Sequence, residues 1–314
     1  SLQKTGRYLI WTMPFWIMFI SQSLSFDDKI IKWGSIGALL PLTISGLMQV
    51  STRPRIIGYF GQPTLLATAL AILVPFSIMI VIDDIQKNGC NKKNIIMLFV
   101  MILGILTLLF TKTRGAIAGV AFGGIILLAV LGKIKYVDRK NTNKKLIAVL
   151  LGLFTFTCVG GYLTGALHRN YDYERVLLLE SSYKMWQDHK IYGVGMGNWA
   201  KEYPKYISPL AKEPNLTIPH NVVASFFDET GLIGGIGFTV FVVGSCIFLI
   251  RKVQDNSQNH YYQAALWAFV ALMCHGMIDT GITNRFAMQF ISAILGIAIA
   301  SEYMSGSESH RVIE

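Results

Sequence analysis

Residues 63–82 read PTLLATALAILVPFSIMIVI, a run that contains no charged side chain. An α-helix rises about 1.5 Å per residue, so roughly 20 such residues cross the ~30 Å of hydrocarbon in a bilayer. Backbone groups in lipid have no water to bind and must pair within the protein, which leaves helices or closed barrels. Because the run lacks the alternating pattern of a barrel strand, it predicts a membrane-spanning helix.

The rest of the chain repeats this pattern. Charge-free runs occur at 8–26, 33–50, 63–82, 94–111, 115–132, 146–167, 230–250, 261–278 and 286–301. Of the 314 residues, 53% are hydrophobic and only 15% are charged, against about 25% charged in a soluble domain. The four cysteines lie far apart without a C-x-x-C spacing, which argues against a zinc site or a disulfide scaffold. We therefore predict an all-α, polytopic transmembrane bundle of about nine spans.

Basic residues indicate how the bundle is oriented. The loop 133–145 carries six Lys and Arg residues against one acid, so the positive-inside rule places it in the cytoplasm. Loops 27–32, 83–93 and 251–260 then fall on the same side, and the four loops together hold 13 basic residues against five in the short outer loops. The net charge of +10 is thus explained by membrane topology, and we expect membrane lipid rather than nucleic acid as a partner.

This orientation divides the chain into three parts. Residues 1–167 hold transmembrane helices one to six, 168–229 form an extracytoplasmic loop, and 230–314 hold helices seven to nine and a cytoplasmic tail. The loop has helical periodicity from Arg175 to Trp186 and a glycine-rich turn from Gly193 to Gly197. A structureless loop of this length is uncommon, so we expect short helices on the membrane surface.

Two arginines on the outer side are candidate functional residues. Arg114 lies in a turn of a few residues between two spans, and an ionisable group at that depth points to function. The alternative is a side chain that extends to lipid phosphates at a helix end. Arg175 begins an apolar run inside the polar loop, and its alternative is a surface ion pair with Glu174 or Asp172.

His220 is the third candidate. Pro219 precedes it and is a helix-start signal, so we expect His220 in the first turn of a helix that runs into the membrane. An imidazole there can accept a proton or stabilise an anion. The alternative is a histidine that merely caps a helix.

Several motifs, in order along the chain, resemble one family. His220-Asn221-x9-Gly231-x-x-Gly234 resembles the signature of the O-antigen ligase and polymerase superfamily, bacterial membrane glycosyltransferases that act on lipid-linked glycans. The other matching segments are Arg55 with 58–63, Thr113-Arg114-Gly115-Ala116, Arg175-x-x-x-Leu179, and Gly193-Val194-Gly195 with Asn198-Trp199. The similarity spans roughly residues 53–301.

The resemblance implies a GT-C-like enzyme in the bacterial inner membrane, with its active site facing the periplasm or cell exterior. Its donor would be a glycan on undecaprenyl diphosphate, and its acceptor a hydroxyl of lipid A-core or another glycan. Transfer would invert the anomeric centre and use neither a metal nor another cofactor. Such proteins usually have around a dozen spans, so we expect further helices before Ser1.

The resemblance also suggests roles for individual residues. Arg114 and Arg175 would bind the diphosphate, because the planar guanidinium can hold two phosphate oxygens. His220 would be the catalytic residue, and Asp279 and Arg55 would support the site. Asp279 could orient an arginine or pair with Arg285 at a helix end.

Other functions remain open from sequence. A polymerase of the same superfamily would join repeat units, but such proteins usually show two large outer loops, so we favour a ligase. A transporter of the lipid-linked glycan would place charges within its spans, and these runs have none. A sugar-binding receptor would use the aromatic loop without transferring glycan.

Overall fold

The computed structural model describes residues 2–132, 172–279 and 281–311, and these residues form α-helices and no β-strand. The helices are α1 (Leu2–Trp11), α2 (Met13–Leu24), α3 (Asp28–Leu47), α4 (Pro63–Asn88), α5 (Lys92–Phe110), α6 (Arg114–Gly132), α7 (Asp172–Asp188), α8 (Trp199–Glu202), α9 (Val222–Asp255), α10 (His260–Gly276) and α11 (Arg285–Arg311). Short 3-10 turns lie at Gly58–Phe60, Tyr203–Lys205 and Gly281–Thr283.

Six of the described helices are long and apolar enough to cross a membrane: α3, α4, α5, α6, α9 and the Arg285–Glu302 part of α11. The predicted run 261–278 corresponds to α10, a helix of 17 residues that is buried along most of its length. The predicted run 146–167 and the basic loop 133–145 lie outside the described residues. The helical nature of the bundle is therefore confirmed, and the number of nine spans stays a prediction.

The prediction of one helix over 8–26 is wrong. The run is divided into α1 and α2, which meet at Thr12. Pro14 lies in the first turn of α2, where it has no N–H to continue the hydrogen bonds of the preceding helix. The Thr12 hydroxyl donates to the Leu9 carbonyl at 2.8 Å and closes the end of α1.

Two helices form the centre of the bundle. Every residue of α4 from Leu66 to Asp84 is buried, and α4 contacts α3, α5, α6, α10 and α11. α10 packs on both α4 and α6.

The contact between α6 and α10 depends on three glycines spaced four residues apart. A Cβ at Gly119 would lie 2.5 Å from the Ala271 carbonyl oxygen, and one at Gly123 would lie 2.9 Å from the Trp267 carbonyl oxygen. A Cβ at Gly115 would lie 2.9 Å from an imidazole nitrogen of α10. Only glycine lets the two backbones approach this closely, which is a common way to pack helices in membranes.

One end of the bundle carries a network of ion pairs between α3, α4 and α10. Lys32 pairs with Asp84, and Lys87 lies 2.8 Å from Asp83 and 3.0 Å from Asp28. Residues of α10 join the network, because Tyr261 donates to Asp28 and His260 lies 3.1 Å from Asp83. The segments 27–32, 83–93 and 251–260, predicted to share one side, thus meet at one end, which we call the inner end.

Candidate functional site

The opposite end of the bundle contains an open cavity of about 200 Å³. Five parts of the chain enclose it. They are the segment before α4, the turn that joins α5 to α6, the helix α7, the start of α9 and the end of α10. The structure places all five residues named from sequence on its wall, although they come from distant segments: Arg55, Arg114, Arg175, His220 and Asp279. Lys112, Thr64, Glu213 and His275 also line it.

Arg55 braces the turn between α5 and α6. Its Nε donates to the Thr111 carbonyl at 3.0 Å, and Nη2 donates to the Thr113 hydroxyl at 3.2 Å. The turn is tight, since Lys112 has a left-handed φ of 51°. Arg55 therefore adds a positive charge to the cavity and also fixes the residues that precede Arg114.

Arg114 is the first residue of α6, so its guanidinium and the helix N-terminus lie at the same wall. The N-terminal N–H groups of a helix carry a partial positive charge and favour anions. Lys112, two residues earlier, is exposed and lines the cavity as well. This segment of chain brings two full charges and a helix dipole to one place.

Arg175 lies in the first turns of α7 and is half-buried. Its Nη1 is buried and has no hydrogen-bond partner among the residues that the structure describes. The neighbouring Glu174 is buried and accepts a hydrogen bond from the Lys212 N–H at 3.0 Å. A buried guanidinium nitrogen that lacks a partner is costly, and an anion in the cavity would remove that cost.

His220 and Asp279 lie next to each other on the cavity wall. His220 Nδ1 lies 3.3 Å from Asp279 Oδ1, and the two side chains are 24% and 8% exposed. Burial by itself raises the pKa of Asp279, but the hydrogen bond with His220 and nearby positive charges, including Arg175, hold it below its ordinary value. The carboxylate therefore stays ionised and can orient the imidazole, so that Nε2 is left for another partner.

The predicted position of His220 within a helix is wrong. Its φ of 52° is left-handed, so it cannot belong to a right-handed helix, and α9 begins only at Val222. Asn221 is the helix cap, since its side chain accepts from the Ala224 N–H at 2.9 Å and donates to the Met277 carbonyl at 3.0 Å. The cap ties the start of α9 to the end of α10, and this places His220 beside Asp279.

The glycines of the predicted signature shape α9. Gly231 has φ 67° and ψ −162° and divides the element into 222–230 and 232–255. A Cβ at Gly235 would lie 2.6 Å from the Phe227 ring, so the two segments fold closely against each other. The segment that follows His220 therefore turns sharply before the long apolar helix begins.

The glycine-rich turn docks onto this bend. The N–H groups of Val194 and Gly195 donate to the carbonyls of Asp228 and Glu229 at 2.8 and 3.0 Å. Gly193, Gly195 and Gly197 all have positive φ, as the turn prediction requires. The turn is thus a support for the bend in α9 rather than part of the cavity wall.

Trp199 is a residue whose role the sequence did not reveal. It is 1% exposed, and its indole N–H lies 3.1 Å from Asp228 Oδ2 and 3.2 Å from Ser182 Oγ. It stacks on Tyr203 with ring centroids 4.5 Å apart. Trp199 therefore joins α7, α8 and α9 into a small core beside the cavity.

The helix predicted from Arg175 to Trp186 is present as α7.

His275 and Glu213 line the cavity, but the sequence does not predict them as site residues. His275 Nε2 lies 3.0 Å from the Thr68 hydroxyl, which connects α10 to α4 behind the cavity. In the sequence, only the position of His275 four residues before Asp279 pointed to a role for it, and nothing pointed to Glu213.

Part of the chain is similar to a known family. Residues 99–239 match the model of a family described as O-Antigen ligase. The match includes Arg114, Arg175 and His220 and excludes Arg55 and Asp279. A search of curated proteins finds no match. The resemblance to the O-antigen ligase and polymerase superfamily is thereby confirmed over this part of the chain.

Proposed function

We propose that this protein is a membrane glycosyltransferase that moves a glycan from undecaprenyl diphosphate to an acceptor hydroxyl. We place the reaction at the outer face of the bacterial inner membrane, with lipid A-core as the acceptor. The observation that carries the proposal is the cavity in which three arginines, a histidine and an aspartate meet. The matched family supports the general class of enzyme.

The arginines suit a diphosphate leaving group. Negative charge grows on the diphosphate as the glycosyl bond breaks, and cations placed in advance stabilise it without rearrangement. Arg114 and Arg175 would bind the phosphate oxygens, with Arg55 and Lys112 adding charge at the rim. The buried Nη1 of Arg175 would gain a phosphate oxygen as its acceptor. These cationic groups supply the charge that a divalent ion supplies in other transferases.

His220 would act as the general base. Its Nε2 takes the proton of the acceptor hydroxyl while that oxygen attacks the anomeric carbon, and the bond from this carbon to the diphosphate oxygen breaks. Undecaprenyl diphosphate leaves with the electron pair, and a single displacement inverts the configuration. Asp279 is the positioning residue, because its carboxylate holds Nδ1 at 3.3 Å and favours the imidazolium that forms.

The first experiment separates a ligase from a polymerase in cells. The gene is deleted in its source organism, and surface glycan is compared on a gel after complementation with the parent protein or with His220→Ala. A ligase predicts that lipid A-core loses its glycan while polymer accumulates on the undecaprenyl carrier. A polymerase predicts that single repeat units still reach the core and only the ladder is lost. An unchanged ladder would reject both activities.

A second experiment measures transfer by purified protein from a lipid-linked glycan. His220→Ala should lower the rate by ~10² to 10⁴, the usual contribution of an acid-base group. His189→Ala is the matched control, because His189 follows α7 and does not line the cavity. Equal rates for the parent and His220→Ala would remove His220 from the mechanism.

A further inference from the structure

A second cavity, of about 450 Å³, lies at the inner end of the bundle. It is formed where α3 begins, α4 ends and α5 begins, with Tyr261 of α10 on its wall. Its wall is rich in charge, with lysines 29, 32, 87 and 93 and aspartates 28, 83 and 84. We call this cavity the inner cleft.

Only some of the lysines that line the inner cleft form ion pairs with its aspartates. Lys32 and Lys87 form the ion pairs described above with the three aspartates. Lys29 and Lys93 are exposed on the rim, and no carboxylate within the described ranges lies at ion-pair distance from either. The cleft therefore presents two positive charges that the protein itself does not neutralise there.

Apolar side chains continue from the rim along both neighbouring helices. On α3, Ile30 and Trp33 are 62% and 46% exposed, and on α5, Ile95, Ile96 and Phe99 are 57–60% exposed. They begin within one turn of Lys29 and Lys93, respectively. The helices pack together farther along, where a Cβ at Gly104 would lie 3.1 Å from Leu39. Exposed apolar side chains on two candidate membrane-spanning helices thus begin directly beside the cationic rim of the cleft.

We propose that the inner cleft binds an anionic glycerophospholipid of the surrounding bilayer. The phosphate of the headgroup would lie between Lys29 and Lys93, and the acyl chains would lie against the exposed apolar side chains of α3 and α5. Basic pockets between membrane helices commonly hold anionic headgroups in this way. The paired aspartates keep Lys32 and Lys87 in place and leave only the rim lysines to the lipid. This site lies at the other end of the bundle from the candidate active site, and it does not depend on the proposed transferase activity.

The test uses the whole purified protein in detergent, titrated with phosphatidylglycerol or phosphatidylcholine, with bound lipid counted by native mass spectrometry. Each basic residue near a membrane surface contributes ~1 kcal/mol to binding anionic lipid, so two lysines predict a preference for phosphatidylglycerol of about tenfold or more. Lys29→Gln with Lys93→Gln should abolish this preference and leave the unfolding temperature without lipid unchanged. Glycerol phosphate, which lacks acyl chains, should not bind at the same concentrations.

The matched control is Lys190→Gln with Lys201→Gln, two exposed lysines in the segment between α7 and α9. This control should keep the preference for phosphatidylglycerol. The proposal is overturned if both lipids bind equally, if the Lys29 and Lys93 double variant binds as the parent does, or if the control pair loses the preference as well. Equal binding of glycerol phosphate would show a simple anion site and would also overturn it.

Discussion

Gly231→Ala tests whether the bend in α9 holds the site together. At φ 67° and ψ −162°, Gly231 occupies a region that is essentially restricted to glycine, where another residue costs about 1–3 kcal/mol. The position also has no room for a Cβ atom. A Cβ there would lie 2.1 Å from the Ile191 carbonyl oxygen and 2.6 Å from the Tyr192 nitrogen, which are backbone atoms that cannot rotate away.

The clash should separate the glycine-rich turn from α9. The Leu232 N–H donates to the Lys190 carbonyl at 2.7 Å, and losing such a bond costs ~1 kcal/mol. Backbone strain and the lost bond together predict a destabilisation of about 2–4 kcal/mol. At ~2–4 °C per kcal/mol for a chain of this size, the unfolding temperature should fall by roughly 5–15 °C.

The activity should fall as well, because His220 lies at the start of the same element. A displacement of about 1 Å at a catalytic group can cost ~10² in rate. The assay is thermal unfolding of purified protein together with transfer from a lipid-linked glycan. Gly237→Ala is the matched control, since nothing lies within 4 Å of its Cβ position and alanine favours a helix by ~1 kcal/mol. If the two variants unfold at the same temperature, the reasoning about the bend is wrong.

Three further variants test the cavity and its support. Arg175→Lys should lower transfer at least ~10-fold because an ammonium cannot hold two phosphate oxygens as the guanidinium fork does, and a rate equal to that of the parent would contradict the diphosphate role. Asp279→Asn should lower kcat more than it changes KM for the donor. Because the Asp279 pKa is lowered, its stabilising effect is present above the unfolded pKa of ~3.9 and is lost as pH falls through the folded value. The variant should therefore be less stable than the parent at pH 7 and should lose less stability below about pH 4, as measured by unfolding across pH. Trp199→Phe removes the indole donor to Asp228 and should cost ~1–3 kcal/mol of stability, with kcat nearly unchanged in the folded fraction.

The sequence predicted the parts of the fold that depend on composition. The charge-free run 63–82 lies within α4 because an apolar segment of that length has few alternatives in lipid. The break at Thr12 could be anticipated from Pro14 alone, but proline is also tolerated in the first turn of a helix or within kinked membrane helices. The apolar pattern therefore could not distinguish one helix from two.

The candidate residues could be named from sequence, but their contacts could not. The pairing of His220 with Asp279 joins residues that are 59 positions apart, and it depends on how Asn221 ties α9 to α10. Pro219 predicted that His220 lies within the helix, whereas Asn221 is the cap and the helix begins at Val222. The sequence suggested only that Arg55 supports the site, and the structure shows that it braces the turn before Arg114. Such contacts depend on packing between distant elements, which spacing along one chain does not encode.

The glycine contacts between α6 and α10 determine how little the site can change its dimensions. Arg114 begins α6 and Asp279 follows α10, so the backbone positions that carry the cationic wall and the carboxylate are set by two helices in close contact. A Cβ at Gly119 would lie 2.5 Å from the Ala271 carbonyl oxygen, so any larger residue there would push the two helices apart. In the proposed reaction, the entropy of bringing together the helices that carry these charges would be lost when the bundle folds and not again at each turnover. For the transfer proposed above, glycans of different size would then vary at the cavity mouth while the reacting bond meets the same frame of helices.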